Sequence, residues 1–98
     1  MSRMTESDVH SALSRAPNWS ESGDSIQRTI RLPDFKASIA FVNAIAVQAE
    51  RMNHHPDILI RYNKVTLTLS THDAGGLTQK DFDLAATIDR MAPSETPA

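Results

Sequence analysis

No cysteine occurs in the 98 residues, which excludes disulfides, thiolate nucleophiles and any thiolate-ligated zinc or iron–sulfur centre. Glycine is scarce: three residues, at 23, 75 and 76, supply no phosphate-cradling loop and no Gly-x-Ser-x-Gly elbow. Neither sign of charge dominates. Ten Lys and Arg against twelve Asp and Glu leave a formal net charge of −2, with the cations scattered along the chain. That excludes the basic footprint of a strong, charge-driven nucleic-acid binder. Long hydrophobic runs are missing as well. The most apolar stretch, Ala37 to Val47, is broken by Ser38 and Asn43 and is far short of the ~20 residues of a membrane span. The opening MSRMTESDVHSAL lacks the apolar segment of a secretory signal, so a soluble, cytoplasmic protein is expected.

What is present reads as one globular domain. Hydrophobic residues make up 40% and charged residues 22%, and the length allows a single core. The domain is expected to span residues 1–98, with about 1–4 and 92–98 frayed. Thr5 can cap a helix over Glu6 to Arg15, with Asp8 completing a capping box and Pro17 stopping it. Trp19–Ser22 and Ser25–Leu32 flank Gly23-Asp24 as a hairpin, although Arg28 shares the parity of Ile26, Ile30 and Leu32. Asp34 then caps a long helix to Met52. Its expected buried stripe is Phe35, Ile39, Val42, Ile45, Ala46, Ala49 and Met52. Two strands follow, Asp57–Tyr62 and Lys64–Ser70, the second burying Val65, Leu67 and Leu69 on one face. Thr78 caps a last helix, Gln79 to Met91, with Phe82, Ala85 and Ile88 inward. The order α-β-β-α-β-β-α predicts an α+β domain, a four-stranded antiparallel sheet covered on one face by three helices.

Three of the four histidines, His54, His55 and His72, lie near turns and strand ends in the second half. Pro56 disfavours helical geometry at His55, which puts the pair His54-His55 at a helix-to-strand junction. Glu50, four residues before His54, could orient that imidazole from the last helical turn. His72 continues the polar series Thr66, Thr68, Ser70 and so points away from the core. Asp81 stands where it can complete a capping box with Thr78, a role compatible with chemistry. Three histidines with Glu50, Asp73 or Asp81 could also ligate zinc, but no His-x-His or His-x-x-x-His spacing occurs. Imidazoles beside carboxylates suit proton transfer near neutral pH, and elimination or addition of water is the simplest chemistry available to them.

The segment from Glu50 to Asp81 resembles the pterin-4a-carbinolamine dehydratases. The matching residues are Glu50-x-x-x-His54-His55-Pro56, Tyr62-Asn63-Lys64-Val65, Leu69-Ser70-Thr71-His72 and Gly76-Leu77-Thr78-x-x-Asp81. Trp19 before a hairpin and Leu32-Pro33-Asp34-Phe35 opening the long helix are also similar to that family. The resemblance implies dehydration of 4a-hydroxytetrahydropterin to quinonoid dihydropterin, which regenerates the cofactor of aromatic amino acid hydroxylases. It implies that neither a metal nor an organic cofactor takes part. By the family pattern His54 and His72 form the acid–base pair, His55 holds the pterin and Asp81 orients a histidine or the ring. Glu50, Ser70 and Thr71 complete the expected substrate contacts. One departure is visible: many relatives carry an aromatic residue just after His-His-Pro, where this chain has Asp57-Ile58-Leu59.

The same resemblance implies a homodimer or homotetramer. Animal members also serve as dimerisation cofactors for a homeodomain transcription factor, so a protein-interaction module with a secondary catalytic site is the competing expectation. The near-neutral charge directs such a role to protein contact, with no direct hold on nucleic acid and none on membranes.

Overall fold

The computed structural model describes residues 2–93, so the expected fraying of residue 1 and of 94–98 lies outside the described residues. The amide of Asp8 donates to Thr5 Oγ1 at 3.1 Å and starts helix α1, Glu6–Ser14. Strands β1 (Ser20–Ser22) and β2 (Ser25–Arg31) form the first hairpin, with Gly23 at φ 58° in its turn, a conformation glycine adopts at no steric cost. Helix α2, Phe35–Met52, is capped by Asp34, whose side chain accepts from the Ala37 amide at 2.8 Å. Strands β3 (Asp57–Arg61) and β4 (Lys64–Leu69) form the second hairpin, a short 3₁₀ turn runs over His72–Ala74, and α3 spans Gln79–Met91. The sheet is antiparallel throughout, in the order β1-β2-β4-β3. The α+β architecture and the element order are those expected.

One face of the sheet is covered. Ile26 and Ile30 of β2 and Val65, Leu67 and Leu69 of β4 have no solvent exposure, while Gln27, Thr29 and Arg31 of β2 are exposed. Burying these side chains with Leu84, Ala85 and Ile88 of α3 supplies the main driving force, about 1.5–3 kcal/mol for each large aliphatic side chain. Arg28 follows the buried parity and is 8% exposed. Its guanidinium meets Asp89 Oδ1 at 2.5 Å, and Trp19 Nε1 donates to the same oxygen at 2.8 Å, so the buried cation is paired.

Helix α2 corrects the expected stripe. Its buried residues are Ser38, Phe41, Ile45 and Ala49, whereas Phe35 is 50% and Ile39 37% exposed and Ala46 faces solvent. Apolar residues surround more than half of this helix, so periodicity alone does not select the packing side. The helix seats Phe41 against the core and leaves Phe35 outside. No helix of the described residues is long and apolar enough to cross a membrane. Arg3 and Met4, expected to be frayed, run beside the rest of the domain, the Met4 amide donating to the Leu77 carbonyl at 2.7 Å.

Candidate active site

The site is built where α2 stops. Asn53 adopts a left-handed conformation (φ 51°, ψ 45°), which breaks the helix, and the His54 amide donates back to the Ala49 carbonyl at 3.0 Å. This cap swings His54 off the helical course that would have set it above Glu50. The expected Glu50–His54 contact is therefore replaced by two others. Glu50 Oε2 meets His55 Nε2 at 2.5 Å, with both side chains largely exposed. His54 turns inward, is only 9% exposed and places Nε2 2.6 Å from Asp81 Oδ1. His54 thus lies at the expected helix-to-strand junction but is buried there, because the helix cap aims it at a carboxylate with no exposure at all.

Asp81 reaches that position through the start of α3. Its Oδ2 accepts the Thr78 amide at 2.9 Å, the return half of the capping box, and also the Thr71 hydroxyl at 2.9 Å. A carboxylate that accepts on both oxygens leaves the His54 ring to donate through Nε2, a tautomer assigned from the hydrogen-bond network. No buried side-chain nitrogen or oxygen among the described residues lacks a partner, so Nδ1, which has none, is the ring nitrogen open to the cleft. His54 therefore offers a lone pair at the surface and a fixed carboxylate behind it. That pairing both orients an imidazole and stabilises its protonated form.

His72 arrives from a different segment. Strand β4 ends at Leu69, and Thr71 pairs with Gly76 in an isolated bridge that closes the intervening loop. Gly75 caps the 3₁₀ turn at φ 73°. His72 is exposed as expected, although the strand regularity assumed for it ends three residues earlier. Among the described residues its side chain has no hydrogen-bonded partner, so both ring nitrogens are free for a ligand.

Asn53, His54 and His55 from the helix cap, Ser70 to Asp73 from the loop, and Lys80 from α3 together line an open cavity of about 290 Å³. Glu50 stands behind His55 and Asp81 behind His54. The hydroxyls of Ser70 and Thr71, expected to contact substrate, already donate within the protein, Ser70 to the Asp24 carbonyl at 3.0 Å and Thr71 to Asp81. Asn53 and Lys80 are cleft residues that the sequence reading missed. Lys80 directly precedes Asp81 and lies on the next face of the helix, a signal that was available. The left-handed Asn53 had none. Among the described residues no three His, Asp or Glu side chains are arranged to hold a metal ion.

Comparison with known proteins points to one family. The family model described as pterin 4 alpha carbinolamine dehydratase matches residues 2–91. A Chloroflexus aurantiacus protein, provisionally named a pterin-4-alpha-carbinolamine dehydratase, is 54% identical over 91 residues, covering 93% of this chain and 98% of that protein. The crystal structure of a transcriptional coactivator/pterin dehydratase from Brucella melitensis superposes with a TM-score of 0.88 at 32% identity, over 93% of this chain and 99% of that one. A pterin dehydratase-like protein identified as a RuBisCO assembly factor in the alpha-carboxysome superposes with a TM-score of 0.66 at 25% identity, over 80% and 93%. With a family match over nearly its whole length and a relative 54% identical over 93% of it, the chain belongs to the pterin-4-alpha-carbinolamine dehydratase family.

Proposed function

We propose that the protein dehydrates 4a-hydroxytetrahydropterin to quinonoid dihydropterin in the cytoplasm, recycling the pterin cofactor of aromatic amino acid hydroxylases. The observation that carries this reading is the meeting of two differently built imidazoles in one cleft: His54, locked against buried Asp81, and His72, open to solvent. Expelling water from C4a needs one group to protonate the leaving hydroxyl and another to take the N5 proton. The N5 lone pair then forms the new double bond to C4a. His54 suits the base, because Asp81 stabilises the imidazolium it becomes, and His72 suits the acid. The two imidazoles return to their starting states by exchanging one proton with solvent. His55, steadied by Glu50, holds the pterin beside them.

The test is the dehydration rate, followed by absorbance with and without a chelator, of wild type beside His72→Ala. Chelator-resistant turnover that falls ~10²–10⁴-fold in the variant is expected. A folded wild type that does not accelerate the reaction would favour the second reading, a protein-interaction module. That reading draws on the relative described as a transcriptional coactivator and on the exposed Phe35, Ile39 and Val47 of α2.

We also propose self-association, through the free edge of β3. This strand exposes Ile58 and Leu59, and on the uncovered sheet face it carries Asp57 at one end and Arg61 at the other. Arg61 sits in register with Lys64, and Lys64 with Arg31, a row of three like charges that disfavour one another. Antiparallel pairing with a second copy about Leu59 would set Asp57 opposite that copy's Arg61 and cover the apolar edge. Sedimentation of wild type beside Arg61→Asp tests the pairing: a dimer dissociated by the substitution is expected, and a wild-type monomer discards it.

A further inference from the structure

We infer that Thr78 and Thr71 form a one-way hydroxyl chain that holds Asp81, and through it His54, so that Thr71 is a positioning residue and not a substrate contact. The inference rests on the proton-transfer reading above. Thr71 Oγ1 lies 2.9 Å from Asp81 Oδ2 and 2.8 Å from Thr78 Oγ1. A carboxylate has no proton to give, so the single Thr71 proton goes to Asp81, and at the other contact Thr71 must accept. The Thr78 proton therefore points at Thr71. Thr78, with no solvent exposure, adds its amide to the same Oδ2 at 2.9 Å.

Two consequences follow. First, Oδ2 is held by Thr71 and by the Thr78 amide, which leaves Oδ1 turned toward His54 at 2.6 Å with one rotational setting for the carboxylate. The His54 tautomer is thus decided at the Thr71–Thr78 pair, two hydrogen bonds away from the reacting atoms. Second, Thr71 serves both imidazoles. Its amide donates to the Gly76 carbonyl at 3.0 Å and its carbonyl accepts from the Ala74 amide at 3.0 Å, which fixes the loop bearing His72. The side chain of Thr71 governs one imidazole and its backbone the other. A substitution that changes only the side chain separates these roles.

The experiment is kinetics joined to ring-nitrogen NMR on the full chain. In Thr71→Val, kcat should fall about tenfold or more with KM unchanged, as when an outer hydrogen bond orienting a working histidine is lost. The His54 ring should change from a single Nε2–H tautomer to a mixture of both. Thr71→Ser, which keeps the hydroxyl, should restore kcat and tautomer together. A raised KM at unchanged kcat and an unchanged tautomer would overturn the inference and return Thr71 to the substrate. Should Thr71→Val fail to fold, the wild-type Thr71 hydroxyl proton is read on adding 7,8-dihydropterin. Persistence of its resonance supports the positioning role, and its loss to the ligand overturns it. The tautomer readout needs no turnover, so an inactive wild type with the expected tautomer change would sink the dehydratase reading and leave the positioning role standing.

Discussion

Two histidine–carboxylate pairs sit side by side in this protein, and their separations are almost the same. His54 Nε2 lies 2.6 Å from Asp81 and His55 Nε2 2.5 Å from Glu50. Their surroundings differ throughout. The side chains of His54 and Asp81 are 10% and 0% exposed, those of His55 and Glu50 59% and 77%. Water and salt screen the outer pair, and both of its members give up side-chain freedom to meet, so such a contact is worth about 0–1 kcal/mol. The inner carboxylate has no water to fall back on and relies on Thr71, Thr78 and His54 for every hydrogen bond. A distance therefore says little about what a pair contributes, and it is burial that sets the inner pair apart from the outer one.

The largest break in that contrast is His54→Ala. It removes the proposed base and leaves Asp81 buried with an oxygen unsatisfied. A rate loss of ~10²–10⁴-fold should accompany a stability loss of about 1–3 kcal/mol, read as a lower midpoint in urea. His72→Ala should lose as much rate, but its midpoint should shift by no more than about 0.5 kcal/mol, since that side chain is exposed and, among the described residues, unpaired. Equal midpoints for the two variants would mean that the His54–Asp81 contact does not bear on stability.

Much of this was legible in the sequence, and the misses share a cause. Alternation marked the buried face of β4, and Thr78 with Asp81 announced the capping box that the structure contains. Local rules sufficed there, because strand parity and helix caps are decided within a few residues. The His54–Asp81 pair joins residues 27 positions apart, and no local pattern points from one to the other. The i,i+4 spacing of Glu50 and His54 pointed to the wrong partner, since it holds only while the helix continues, and Asn53 ends it. The stripe on α2 failed in the same way. Phe35 and Phe41 are equally apolar, and only the seat of the helix on the sheet decides that Phe41 is buried. In each case the missing information was tertiary.

The smallest expected effect sharpens the comparison most. Glu50→Gln keeps an acceptor for His55 but removes the charge, so it isolates the electrostatic part of the outer pair. If that pair only steadies a histidine that holds substrate, its loss should appear in KM and hardly in kcat. An exposed contact of this kind, worth about 0.2–1 kcal/mol when the imidazole is charged, corresponds to a KM increase of roughly 1.4- to 5-fold. Screening supplies the second check. Raising the salt from 0.01 to 1 M shortens the Debye length from about 30 to 3 Å, so the difference between wild type and variant should shrink as salt is added. The buried pair offers no such dependence, because little mobile charge can reach Asp81. A loss in kcat of two orders of magnitude, or a KM effect indifferent to salt, would place Glu50 on the reacting pterin itself. The two pairs would then differ in which atom of the substrate they serve and not in how far each lies from water.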